Sequence, residues 1–226
     1  MKIYFYRLLT LSLPILLLGF GCTSTSSNSK AELSGTLSIR YLNKGQIIRA
    51  EAKLFITDST SQTPYASTKD MLFNNLVMSG RWTSEDIYTY QFEANRPYES
   101  SASFHFYDPW HQKKMVELDM EALPVIQLDS LTLDQDQVKL NLPNIKLTEQ
   151  ETITLVFNHP DGETAYFTIE GPTTDTPYLD ITPEKLSPGQ WLYYSIKRKE
   201  SSYSDETSNI KLIFEQYSSD KQVIIN

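Results

Sequence analysis

Ile153 to Ile169, ITLVFNHPDGETAYFTI, decides how the rest of the chain is read. Ile153, Leu155 and Phe157 alternate with Thr154 and Val156, and Ala165, Phe167 and Ile169 alternate with Tyr166 and Thr168. A strand sends successive side chains to opposite faces, so period two marks a sheet with one face on a core. Pro160-Asp161-Gly162 stands between the two runs. Proline fixes φ, aspartate bonds the nearby backbone and glycine accepts positive φ, so the segment predicts a tight turn between antiparallel strands.

The same period extends outward in both directions. Toward the C-terminus, Leu192, Tyr194 and Ile196 open a strand that ends in the charged Lys197-Arg198-Lys199-Glu200; Ile210, Leu212 and Phe214 form the next, and Val223 to Ile225 a last one. Toward the N-terminus, Val138, Leu140 and Leu142 alternate, preceded by a connection from Leu123-Pro124 to Leu128. Further upstream lie alternating runs at 37–41, 48–56, 88–94, 102–106 and 116–120, with an apolar strand at 71–78 and a polar loop at 57–70. Asn43-Lys44-Gly45 joins the first two runs as a hairpin. No segment carries helical periodicity over three turns; the best candidate is one turn near Thr182 to Leu186. Short strands with turn residues between them predict an all-β chain of antiparallel β-sandwich type. The two series suggest two small immunoglobulin-like or transthyretin-like domains, 33–122 and 123–226. One continuous sandwich is the alternative.

The first 22 residues follow a different logic. Lys2 and Arg7 precede an uncharged, leucine-rich segment from Leu8 to Phe20, too short to span a bilayer with ease. Leu18-Gly19-Phe20-Gly21-Cys22 follows, and Cys22 is the only cysteine in the chain. The segment resembles the signal and lipobox of bacterial lipoproteins, in which a cysteine behind small residues is acylated and becomes the mature N-terminus. It departs in holding Gly19, with Leu18 one step further out, where the family usually has leucine. The resemblance covers residues 1–22 only. It implies a signal peptide over 1–21, a lipid such as palmitate on Cys22, and a polar tether over 22–32. In that family an aspartate after the cysteine holds the protein at the inner membrane. Thr23 stands there, which implies the outer membrane, with Cys22 as the membrane attachment.

The chain has 226 residues and a net charge of −8, which becomes −10 without Lys2 and Arg7. Such a surface repels phosphate backbones, so nucleic acid is not an expected partner. With one cysteine there is no internal disulfide and no thiolate zinc cluster. His105, Asp108 and His111 form the tightest set of metal-ligand types, but a strand and a turn separate them and nothing makes them converge. His159-Pro160-Asp161 has its aspartate where the turn needs one. There is no Gly-x-Ser-x-Gly elbow, phosphate loop or calcium loop, and no cofactor is called for. The aromatics give a better lead. Trp110, Trp191 and Tyr193 are candidates for an exposed binding surface, because flat rings offer apolar area at low entropy cost; sheet packing is the competing explanation. The expectation is a non-catalytic, lipid-anchored envelope protein with a structural, adhesion or assembly role. A carbohydrate- or small-ligand-binding protein is the alternative, with a hydrolase third. Partners would be an envelope protein or a glycan.

Overall fold

A computed structural model describes residues 31–128, 130–131, 138–141, 145–173, 178–181 and 186–226. Cys22 and the rest of the expected signal segment, and most of the candidate turn at 182–186, lie outside the described residues. The regular structure of the described residues is all strand, with no helix. In the first half run β1 (Glu32–Leu42), β2 (Ile47–Thr57), β3 (Gln62–Pro64), β4 (Leu72–Phe73), β5 (Leu76–Val77), β6 (Ser79–Ser84), β7 (Ile87–Asn95), β8 (Ser101–Tyr107) and β9 (Lys113–Asp119). Then come β10 (Ser130–Leu131), β11 (Val138–Asn141), β12 (Glu151–Asn158), β13 (Thr164–Glu170), β14 (Tyr178–Ile181), β15 (Gly189–Ser204), β16 (Ser208–Tyr217) and β17 (Lys221–Ile225).

The stretch from 153 to 169 is a hairpin of β12 and β13, with Ile153 opposite Ile169 and Phe157 opposite Ala165. Gly162 takes φ +96° at its tip, as the turn chemistry requires. The run at 71–78 departs from the expectation of one strand. Asn74 and Asn75 both adopt positive φ and fold it into the β4–β5 hairpin, the turn that tight two-residue loops favour. β6 leaves no trace in the apolar pattern, because all six of its residues are exposed at a sheet edge.

Eleven strands form one large sheet, with β10-β17-β15-β16-β1-β2-β7-β6 as its spine, β12 and β13 joined through β15, and β3 beside β2. A four-stranded sheet, β5-β4-β8-β9, stands apart, as does the pair β11–β14. The chain is all-β and sandwich-like, as expected, and within the large sheet two pairings are parallel. β1 and β16 run parallel from Leu33↔Ser208 to Leu42↔Tyr217, and β10 and β17 are parallel as well. The cause is topological. β2 occupies one edge of β1, and β16 enters much later in the chain along the free edge, in the same direction. Alternation records which face a side chain takes and carries no sign of strand direction.

Two hydrophobic clusters result. One draws on β1, β2, β7, β8 and β9 and adds Ile210, Leu212 and Phe214 from β16; the other gathers residues between Leu123 and Ile225. The β16 residues therefore belong to the core of the first half, although they lie in sequence among those assigned to 123–226.

β15 ties the clusters together. It is sixteen residues long and does not stop at its charged run. Its first part pairs with β17 from Gly189↔Ile225 to Tyr193↔Lys221, and its second part with β16 from Ile196↔Tyr217 to Ser204↔Asn209. At the break between β16 and β17, Ser218 donates its N–H to the Ser195 carbonyl and accepts the Ser195 N–H on Oγ. Lys197 points inward and is fully buried, with Nζ 3.0 Å from Glu151 Oε1 and 3.2 Å from the Glu121 carbonyl. Gln216 accepts the Leu123 N–H at 2.6 Å and donates to Asn43 Oδ1 at 3.0 Å. Burial raises the Glu151 carboxyl pKa, but the Thr148 N–H and Lys197 outweigh it and hold the group below the ordinary glutamate range.

Candidate functional site

The outward face of the large sheet carries the candidate site, and strand register lays it out in rows. In one row, Arg198 of β15 faces Glu215 of β16, Glu215 faces Arg40 of β1, Arg40 faces Arg49 of β2, and Arg49 faces Glu93 of β7. Arg40 Nε lies 3.1 Å from Glu215 Oε2 and Arg49 Nε 2.6 Å from Glu93 Oε2. The neighbouring row is Ser38, Glu51, Gln91 and Ser79, in which Gln91 donates to Glu51 at 3.1 Å. These two rows bound an open cleft of about 540 Å³. Burial pushes the Glu51 pKa up, but Lys53 and Gln91 more than reverse this, so the carboxylate stays charged.

On the other side of the charged row the face turns aromatic. Tyr166 of β13 faces Val156 of β12, which faces Tyr194 of β15. Tyr166 is 61% exposed, while Val156 between the two rings is buried. Tyr194 continues to Tyr217 of β16, with ring centroids 6.4 Å apart and planes inclined by 27°. The Arg40 guanidinium lies over the Tyr217 ring, 5.5 Å from its centroid. The Tyr217 hydroxyl donates to Glu215 at 3.0 Å, and burial with Glu215 nearby raises its pKa, so the phenol keeps its proton. Leu192 and Ile224 are exposed on β15 and β17 at the border of this region. Three tyrosines, part-buried or exposed, thus lead into a cleft lined by arginine, glutamate and glutamine.

None of the three aromatics singled out from the sequence lies on this face, and two of them are buried where an exposed surface is expected. Trp191 and Tyr193 face the second core and are buried. Trp191 donates Nε1–H to the Ser187 carbonyl at 2.9 Å and packs against His159. Tyr193 stacks on Phe157 at 5.7 Å, and its hydroxyl accepts the Leu128 N–H at 2.8 Å. Their neighbours on β12 and β13, Phe157 and Phe167, make this face the inner one. Trp110 is 37% exposed at the β8–β9 turn, away from both rows.

The metal candidates do not converge. His105 is mid-strand, with Nε2 3.1 Å from Ser103 Oγ. Asp108 is buried and serves the turn, its Oδ1 accepting N–H bonds from Trp110 and Gln112 and its Oδ2 3.4 Å from Lys114 Nζ. His111 holds positive φ at the same turn. Among the described residues no group of three or more His, Cys, Asp or Glu side chains could hold a metal.

Sequence reasoning missed the arginine row and Tyr217. Part of the signal was present in the Asn43-Lys44-Gly45 turn, but the loop runs to Gln46, and it is this fourth residue that sets Arg40 opposite Arg49; a three-residue loop would set it opposite Ile48. Glu215 and Tyr217 reach the row through a parallel pairing 175 residues from Arg40, which no local pattern carries.

No protein-family model matches the chain. No curated protein matches it either. Among solved structures, the Bacteroides ovatus mixed-linkage glucan utilization locus protein SGBP-B, in complex with a mixed-linkage heptasaccharide, aligns at 10% identity and a TM-score of 0.23. The alignment covers 80% of this chain and 53% of that one, so the chain spans about half the length of that protein. A score of that size establishes no shared fold.

Proposed function

We propose that the chain is a lipid-anchored, non-catalytic binding protein of the bacterial outer membrane, and that its ligand is a glycan laid on the outward sheet face. One observation carries this reading: Tyr166, Tyr194 and Tyr217 lead into a polar cleft on the same face. Pyranose rings present C–H faces that rest on the negative face of an aromatic ring, and their hydroxyls pair with fixed carboxylates, amides and guanidinium groups. A row of rings beside such groups supplies both.

The test is retention of the intact chain on immobilised envelope and plant-type glycans. Wild type is expected to be retained, and Tyr194→Ala and Tyr217→Ala each to weaken binding about tenfold. Retention that is equal in all three proteins would sink the reading. The anchor is tested separately, by incorporation of labelled palmitate into wild type and its loss in Cys22→Ala.

A protein partner, in an adhesion or assembly role, is the second reading. It is favoured by β6, whose six residues are all exposed along a sheet edge with Trp82 57% exposed. An unpaired strand edge offers main-chain groups to an incoming strand. Capture of one specific envelope protein by wild type, lost with proline at Thr83, would favour it.

A further inference from the structure

Arg40 and Arg49 stand directly opposite each other on adjacent strands. Like charges in that arrangement destabilise a sheet. The two side chains lie on either side of the difficulty: Arg40 Nε turns to Glu215 and the guanidinium sits over Tyr217, while Arg49 Nε turns to Glu93 on the opposite flank. Both side chains line the open cleft, each about half exposed. Among the described residues, their terminal nitrogens have no hydrogen-bond partner.

The surrounding charges are nearly all matched. Lys53 pairs with Glu51, Arg198 with Glu215 and Glu200, and Lys211 with Glu200. The guanidinium ends of Arg40 and Arg49 are left as open donors in a cleft whose carboxylates, Glu51, Glu93 and Glu215, are all in ion pairs. A guanidinium presents paired donors in a plane that matches a carboxylate.

We infer that Arg40 and Arg49 form a clamp for a carboxylate, and that the glycan on this face is an acidic one carrying uronic acid units. The inference rests on the glycan reading above and narrows it. A carboxylate that arrives between the arginines relieves their repulsion. The tyrosine row then takes the next sugar rings along the face.

The experiment compares tetragalacturonate with its fully methyl-esterified form, which is the same oligosaccharide without the charge, by calorimetry on the intact chain. The free acid is expected to bind at least about tenfold more tightly than the ester, and Arg40→Gln or Arg49→Gln to bring that ratio close to one. Raising the salt concentration should weaken the acid more than the ester. Titration with galacturonate alone should shift the Nε signals of Arg40 and Arg49 in NMR spectra. Equal binding of acid and ester overturns the clamp and leaves the glycan reading standing. Signal shifts with the monosaccharide but no binding of either tetramer uphold the clamp and overturn the glycan face. Absence of both overturns both. Tighter binding of a sulfated tetrasaccharide than of tetragalacturonate overturns the choice of carboxylate.

Discussion

Along β15, Trp191, Tyr193 and Lys197 face inward, and Leu192, Tyr194 and Arg198, one position later in each case, face outward. The residue types are nearly the same on both faces, yet their uses differ. Inside, Tyr193 stacks on Phe157 and Lys197 is held by Glu151 and the Glu121 carbonyl, so ring and charge fasten the fold. Outside, Tyr194 lies beside Tyr217, and Arg198 joins a charged row that borders an open cleft. Residue chemistry alone therefore does not mark a site. The neighbours across β12 and β13 do, because Phe157 and Phe167 claim one face for the core.

The contrast is sharpest for the largest effect. Trp191→Ala should cost about 3–5 kcal/mol of stability, since it removes a fully buried ring and orphans the Ser187 carbonyl. Chemical denaturation would measure this, and a loss under about 1 kcal/mol would mean that the ring is not core. Lys197→Met should cost about 3 kcal/mol by leaving Glu151 buried and unpaired, and Lys197→Met with Glu151→Leu should recover part of that loss. No recovery in the double variant would count against the pairing.

Acid should weaken the inward side of this comparison. Glu151 titrates below its ordinary value of 4.5 in the folded chain, so the folded state binds fewer protons than the unfolded one near that pH. Its contribution is complete above about pH 4.5 and is lost as pH falls through the lowered folded value. The thermal midpoint should therefore drop on acidification below about pH 4.5, and drop less in the double variant. Smaller still, Tyr194→Ala should change stability by no more than about 1 kcal/mol, since the ring is only part-buried, while weakening glycan binding about tenfold. Trp110→Ala, at a turn far from the row, should change stability by about 0.5 kcal/mol and leave glycan binding as in wild type.

Much of the architecture was legible in the sequence because alternation is local. The hairpin of β12 and β13, the positive φ of Gly162 and the Asn43-Lys44-Gly45 turn all follow from a few adjacent residues. β6 was not legible, since an edge strand exposed on all sides has no apolar face to advertise. The continuation of β15 past Lys197 was hidden because a buried lysine looks like a strand end until its glutamate is seen 46 residues upstream. For the site, the sequence directed attention to aromatics, and β15 does carry one to the candidate face. Period two separates two faces without saying which is inside, so Trp191 and Tyr193 read as surface candidates although they are core. Arg40 opposite Arg49 depends on a loop of four residues, 43–46, one more than Asn43-Lys44-Gly45 signals, and Tyr217 needs the parallel pairing of β1 with β16.

The central claim is that the outward tyrosine row and its cleft bind ligand while the rings one position away only build the core. Mapping amide shifts on the intact chain during titration with a retained oligosaccharide tests it most directly. The account predicts that the largest changes fall on β1, β12, β15 and β16 around Arg40, Val156, Tyr194 and Tyr217. Changes confined to β6, or to the β8–β9 turn at Trp110, would contradict it.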